Sequence, residues 1–203
     1  MRRYERDKRL GQEGVSMARY AMAFDYKLCI NCHACEVACK EENGILLGAD
    51  HHRLWIDVTE PTGSFFDLQR NKNSFIPMQC QECEVAFCEI ACPTDAIWYD
   101  KNGIVRTDAD KCILCEYCMK ACPYDARYID ENRKFADKCI FCADTRLARG
   151  ETTTACQITC PAKVRIFGDL DDPDSDISHA LKSRSFFTIK SELGTKPKLF
   201  YLE

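Results

Sequence analysis

Sixteen cysteines, sorted into four groups of four, are the residues whose type and spacing define a chemistry here. The first group is Cys29-x2-Cys32-x2-Cys35-x3-Cys39, and the second is Cys80-x2-Cys83-x4-Cys88-x3-Cys92-Pro93. The third is Cys112-x2-Cys115-x2-Cys118-x3-Cys122-Pro123, and the fourth is Cys139-x2-Cys142-x13-Cys156-x3-Cys160-Pro161. No cysteine is left over. Dense disulfides belong to small secreted domains that cannot build a core, and a chain of 203 residues is longer than those. Zinc knuckles pair two Cys-x2-Cys units, often with His, and give no role to the third cysteine of each group or to the Cys-Pro ending. The spacing fits iron–sulfur clusters. Three cysteines at short intervals wrap one cube, while the fourth begins a helical turn, points away, and ligates the other cluster of a pair. Proline then stops the turn, because it has no N–H for the helical ladder. Thiolates are soft donors suited to iron in this setting.

The elements between the groups repeat. Ala96-Ile97-Trp98-Tyr99 and Ile104-Val105-Arg106-Thr107 flank Asp100-Lys101-Asn102-Gly103, which reads as a hairpin. Tyr128-Ile129 and Lys134-Phe135-Ala136 flank a second turn, Asp130 to Arg133, and Lys163 to Gly168 reads as a further strand. The unit of cysteine loop, short helix and strand therefore recurs. The expected class is α+β, with short helices, β-hairpins and long loop inserts.

Groups two and three, joined by a hairpin, resemble a bacterial two-cluster ferredoxin. All four groups together resemble the iron–sulfur subunit of the molybdopterin oxidoreductases, the family of polysulfide, thiosulfate, tetrathionate and dimethyl sulfoxide reductases. The resemblance spans about residues 23–203. It includes the x4 gap of group two, the long gap of group four, and the runs Ala162–Pro173 and Gly194–Leu202. It implies two nested ferredoxin-like units: an outer one from 23–79 and 136–203, an inner one at 80–135, and a charged N-terminal arm at 1–22. Carried over residue by residue, it implies four [4Fe–4S] clusters. Cluster 1 takes Cys29, Cys32, Cys35 and Cys160; cluster 2 takes Cys139, Cys142, Cys156 and Cys39. Cluster 3 takes Cys80, Cys83, Cys88 and Cys122; cluster 4 takes Cys112, Cys115, Cys118 and Cys92. In certain nitrate reductase subunits Trp replaces a group-three cysteine and the cluster loses an iron; here Cys115 is intact, so no [3Fe–4S] cluster is expected. The implied partners are a molybdopterin catalytic subunit and a membrane quinol-oxidising subunit. The implied place is peripheral to the cytoplasmic membrane, on its periplasmic side by export with a partner, with the cytoplasmic side as the alternative.

The polypeptide carries a formal charge of −4, which does not point to nucleic acid. Four oxidised cubes with their thiolates, at about −2 each, would bring it to about −12. No run of eighteen uncharged apolar residues is present, so no membrane span is expected. Arg2 and Arg3 superficially suggest a twin-arginine signal, but the run after them, Val15 to Phe24, is short and interrupted by Arg19. The stretches without cysteine, about 40–79 and 168–203, are the expected partner surfaces. Lys27, Lys111 and Lys138 precede three of the groups and are read mainly as solvated, with stabilisation of a reduced cluster as the functional reading. His33 between two ligands, and His51 and His52 in the insert, are not expected to bind metal; Trp55 and Trp98 are expected to pack. The acidic run from Asp169 to Asp176 reads as a polar loop before a short helix at about 177–181, without a calcium-loop pattern. No nucleophile–base pair, phosphate loop or nucleotide fingerprint occurs. The chain thus reads as an electron carrier without a catalytic site. The runner-up is a polyferredoxin-like subunit of a cytoplasmic formate dehydrogenase or hydrogenase, and the alternative of another class is a zinc-stabilised interaction module.

Overall fold

The computed structural model describes residues 18–48, 51–59 and 74–203. Its largest sheet has four strands: β1 (Tyr20–Phe24), β8 (Arg165–Asp169), β9 (Phe186–Phe187) and β10 (Leu199–Leu202). Their order is β8-β1-β10-β9, with β1 parallel to β10 and antiparallel to β8. The central place of β1 corrects the boundary drawn at residue 22 for a charged arm. Ala21, Met22, Ala23 and Phe24 are fully buried. Their short apolar run suffices for a strand, and Met22 is in register with both Leu199 and Phe167. The rest of the arm, residues 1–17, lies outside the described residues.

Side chains of β1 alternate between two cores, as strand geometry demands. Met22 and Phe24 face the cysteine-rich core, while Ala21 and Ala23 join Ile177 and Leu202 in a second cluster. Ile177 belongs to a helix that the sequence placed at about 177–181 and that runs over Asp176–Ser183. Ser175 caps it by accepting from the Ser178 N–H. The helix lies so close to the sheet that a Cβ on Gly168 would stand 3.0 Å from the Ile177 Cγ2.

Three hairpins complete the sheets: β2–β3 (Leu54–Thr59 with Ser74–Gln79), β4–β5 (Ile97–Tyr99 with Val105–Thr107) and β6–β7 (Tyr128–Asp130 with Phe135–Asp137). The last two match the turns read from the sequence. Between Tyr99 and Val105, the Asp100 carboxylate accepts from the Asn102 and Ile104 N–H groups, and Gly103 takes the left-handed conformation at φ 68°. Each cysteine group carries one helix: α1 (Ala34–Asn43), α2 (Phe87–Ile90), α3 (Tyr117–Lys120) and α4 (Ala155–Ile158), with the capped helix at Asp176–Ser183 as α5. α1 packs on α4, and α2 packs on α3. The fold is therefore mixed α and β with a ferredoxin-like arrangement of short elements, as expected.

The helical turns differ from expectation in one respect. They contain the third cysteine of each group, and in groups two to four the fourth cysteine falls just past the helix end, against its proline. Group one has no proline there, and α1 continues through Cys39 to Asn43, ending on Gly44 at φ 59°.

Candidate metal centres

In every group the residue before the second cysteine has positive φ: Asn31 at 56°, Glu82 at 46°, Leu114 at 57° and Phe141 at 52°. Non-glycine residues hold this conformation only when the surroundings fix them, at about 1–3 kcal/mol each. Left-handed residues in such loops turn successive N–H groups to one side and form an anion-binding concavity. The three Cys-Pro endings repeat the device, with Asp95, Asp125 and Lys163 at φ 54°, 51° and 52°.

The thiols these loops present meet across groups. One cavity, of about 350 Å³ with its open mouth, is lined by Cys29, Cys32 and Cys35 of group one and by Cys160 of group four. A second, of about 340 Å³, is lined by Cys112, Cys115 and Cys118 of group three and by Cys92 of group two. A third, of about 250 Å³, is lined by Cys139, Cys142 and Cys156 of group four and by Cys39 of group one. The remaining thiols gather nearby: Cys80, Cys83 and Cys88 act on one another electrostatically, and Tyr124 feels both Cys83 and Cys122. All sixteen thiols are free. Among the described residues no three His, Cys, Asp or Glu groups are disposed to hold a single metal ion. The thiols ring a space instead of converging on a point, which fits a cube better than zinc.

Burial grades along the protein. Cys39, Cys139, Cys142 and Cys156 are all buried, whereas Cys32 is exposed and Cys92, Cys112 and Cys115 are half-buried. Burial lifts the Cys80 thiol to about 12, against the pull of Lys138. Burial also lifts Cys35, against the Arg165 guanidinium. Cys92 moves the other way: its burial is outweighed by hydrogen bonds from the Thr94, Ala96 and Ile97 N–H groups and the Thr94 hydroxyl. Metal must therefore displace protons from the buried thiols to bind there.

Donors around the thiols complete the fit. Asn43 Nδ2 lies 3.7 Å from both Cys39 Sγ and Cys142 Sγ, and Gln79 Nε2 donates to Cys139 Sγ at 3.6 Å. Arg165 Nη2 reaches Cys35 Sγ at 3.7 Å, Arg127 Nη2 reaches Cys88 Sγ at 3.4 Å, and the Val164 N–H donates to Cys160 Sγ at 3.4 Å. The Nε of Arg127 is buried with no hydrogen-bond partner. These groups were not singled out from the sequence, although Cys-Pro-x-x-x-Arg occurs twice, at 122–127 and 160–165. Of the three lysines weighed, Lys27 is exposed and the Lys111 ammonium sits on Asp108. Lys138 is not solvated: it is 1% exposed and pairs with buried Glu82. His33 bonds Glu36, and His52 packs between Trp55 and Tyr128. Trp98, expected to pack, is 47% exposed.

Anion-cradling cysteine loops set on short helices and hairpins define a ferredoxin-like iron–sulfur protein. Residues 71–170 match the 4Fe-4S dicluster domain family. The protein is 43% identical over 185 residues to a subunit of the polysulfide reductase of Wolinella succinogenes, covering 90% of this sequence and 93% of that one. It is 44% identical over 187 residues to protein NrfC of Escherichia coli, covering 92% and 81%. It is 42% identical over 156 residues to the thiosulfate reductase electron transfer subunit PhsB of Salmonella typhi, covering 77% and 79%. The chain belongs to the iron–sulfur electron-transfer subunits of the polysulfide, thiosulfate and dimethyl sulfoxide reductase family, and its sixteen cysteines are consistent with four [4Fe–4S] clusters.

Proposed function

We propose that this chain conducts electrons through four [4Fe–4S] clusters, between a membrane quinol-oxidising subunit and a molybdopterin catalytic subunit of a respiratory reductase. The observation that carries the reading is the mixed lining of the cavities: three separate spaces are each bounded by three thiols of one group and one of another. A space so bounded suits a cube stapled to two distant stretches of chain. Cluster 1 falls to Cys29, Cys32, Cys35 and Cys160, and cluster 2 to Cys39, Cys139, Cys142 and Cys156. Cluster 3 falls to Cys80, Cys83, Cys88 and Cys122, and cluster 4 to Cys92, Cys112, Cys115 and Cys118. Groups one and four then form the outer unit and groups two and three the inner one. When bound, the clusters supply one-electron chemistry. The chain's residues fix the thiols, exclude water from the cluster 2 site, and place donors on the sulfurs to tune potential.

Exposed apolar residues beside two of the thiol sites support contacts with partners. Beside exposed Cys32 stand Leu28 and Ile30, 50% and 62% exposed, and beside Cys112 and Cys115 stand Ile113 and Tyr117, 62% and 61% exposed. No helix among the described residues is long and apolar enough to cross a membrane. We place the complex on the periplasmic face of the cytoplasmic membrane.

Metal analysis of anaerobically purified protein tests the cluster count. About sixteen iron and sixteen acid-labile sulfide per chain are expected from four cubes; zinc without sulfide overturns the reading. Mild-detergent purification tests the partners. A pterin-bearing subunit together with a membrane subunit is expected, and a formate dehydrogenase or hydrogenase without a membrane subunit overturns that placement. Protease digestion of intact spheroplasts tests the face.

A further inference from the structure

Five buried cations, Arg53, Arg127, Lys138, Arg165 and Lys198, lie among the described residues, and they differ in how they are compensated; the Lys198 ammonium donates to the Gly103 carbonyl, not to a thiol. Arg53 forms a two-pronged ion pair with Asp137, and Lys138 pairs with Glu82. Arg127 and Arg165, 5% and 3% exposed, have no carboxylate partner among the described residues. An unpaired buried charge is costly unless an anion lies beside it, and guanidinium does not escape by losing its proton. The groups at hand are thiols, and each arginine stands between two sets of them.

Arg165 lines the cavity of Cys29, Cys32, Cys35 and Cys160, and its Nη2 touches Cys35 Sγ. Its Nη1 faces the neighbouring cavity. It donates to Gln79 Oε1 at 2.7 Å, and Gln79 in turn donates to Cys139 Sγ; it also touches the sulfur of Met22, which lines that second space. Cys156 and Cys139 of that set act on the guanidinium along with Cys35. Arg127 repeats the arrangement in the other half. Its Nη2 touches Cys88 Sγ, while Nη1 donates to Thr107 Oγ1 at 3.1 Å and the Ala136 carbonyl at 3.4 Å, both in the wall of the cavity of Cys92, Cys112, Cys115 and Cys118. The two arginines hold the same place in the internal repeat, five residues after Cys122 and Cys160.

We infer that Arg165 and Arg127 are electrostatic positioning residues, each a fixed positive charge shared by the two clusters of one ferredoxin-like unit, which raises both potentials together. Between the units stands Lys138, adjacent to Cys139 and acting on Cys80, but Glu82 cancels its charge at that joint. The chain therefore carries two charge-coupled pairs instead of four independently tuned sites. Reduction adds one electron per cube, which makes each more anionic and strengthens its attraction to the guanidinium; no proton is exchanged there.

The inference rests on the four-cluster reading, which iron and sulfide content of the unmodified protein tests by itself. The experiment for the inference is an EPR-monitored redox titration of the fully loaded chain, with dithionite and ferricyanide supplying and removing electrons. Arg165→Gln removes the charge from the outer unit and leaves Gln79 in place to donate to Cys139. Two of the four reduction waves should move to lower potential and the other two should stay. Arg127→Gln should move the complementary two, and Arg165→Lys and Arg127→Lys should each restore most of the shift. Waves that all shift equally, a shift confined to one wave in either glutamine variant, or four unmoved waves would overturn the inference. Should a glutamine variant fail to load iron, the lysine variant at that position decides: the same two waves should shift by less, and a shift of one wave or of all four overturns the inference.

Discussion

Arg53 and Asp137 meet in a buried two-pronged ion pair, with Nε and Nη2 each 2.9 Å from a different carboxylate oxygen. The pair stands on a longer chain of bonds. Tyr128 donates its hydroxyl to Asp137 at 2.7 Å, and Arg53 Nη1 donates at 2.9 Å to Asn43 Oδ1, whose amide approaches Cys39 and Cys142. Burial would raise the Asp137 carboxyl, but the guanidinium holds it below the usual carboxylate range. Asp137 has a second partner, since Arg133 Nη2 donates to its Oδ2 at 2.7 Å, whereas Asp137 is the carboxylate partner of Arg53. Stranding a buried charge costs about 3–5 kcal/mol, so Asp137→Asn should cost about that much and Arg53→Met, which leaves Asp137 with Arg133, should cost less. The check is the urea midpoint for bleaching of cluster absorbance, which should fall in both variants, further in Asp137→Asn, and stay unchanged in the Lys111→Ala surface control.

Asn43 is the point at which that chain reaches sulfur. N–H···S bonds favour the reduced, more negative state of a cluster. A net hydrogen bond of about 1 kcal/mol corresponds to roughly 40 mV for one electron. Asn43→Leu should therefore lower one midpoint by tens of millivolts, on the order of one or two such bonds, and leave the other three in place. A redox titration of the loaded chain reads this directly, and four unchanged midpoints would remove Asn43 from the tuning set.

The cysteine framework and the two later hairpins were legible because they are local. Cysteine spacing needs only a dozen residues to show itself, and Asp100 through Gly103 carries its turn chemistry within itself. What stayed hidden is long-range. Tyr20–Phe24 is a central strand because Arg165 to Asp169 and Leu199 to Leu202 come to flank it, and nothing within Arg19 to Asp25 announces either neighbour. Buried arginines were hidden for another reason: composition gives Arg to the surface unless a partner is known. The partners of Arg127 and Arg165 are thiols from groups far along the chain. The helix ends misjudged at the fourth cysteine follow from reading proline as a stop without noting that the turn already begins before the third.

Tyr201 ties the large sheet to the β2–β3 hairpin. Its buried hydroxyl donates to the Pro77 carbonyl at 2.9 Å. Removing it leaves that carbonyl unsatisfied in the core, at about 1–3 kcal/mol. Tyr201→Phe should lower the thermal midpoint of the loaded protein while iron per chain stays unchanged. Loss of iron together with stability would show instead that the sheet and the clusters assemble as one step.

Cys115 sits in the middle of group three, half-buried in the wall of the cavity it shares with Cys92, Cys112 and Cys118. Its neighbours Leu114 and Glu116 are both held at positive φ, 57° and 63°, so the loop is shaped around this thiol. Serine offers a harder, less acidic donor at the same place. Cys115→Ser should therefore damage one cluster and spare three, bringing iron from about sixteen to about twelve per chain, or to about fifteen if three irons stay bound in the cube. Iron and sulfide content read the first effect, and electron transfer across the assembled complex reads the second. If the cavity of Cys92, Cys112, Cys115 and Cys118 lies on the route, transfer should slow sharply. A normal rate with one cluster missing would place that site off the main path.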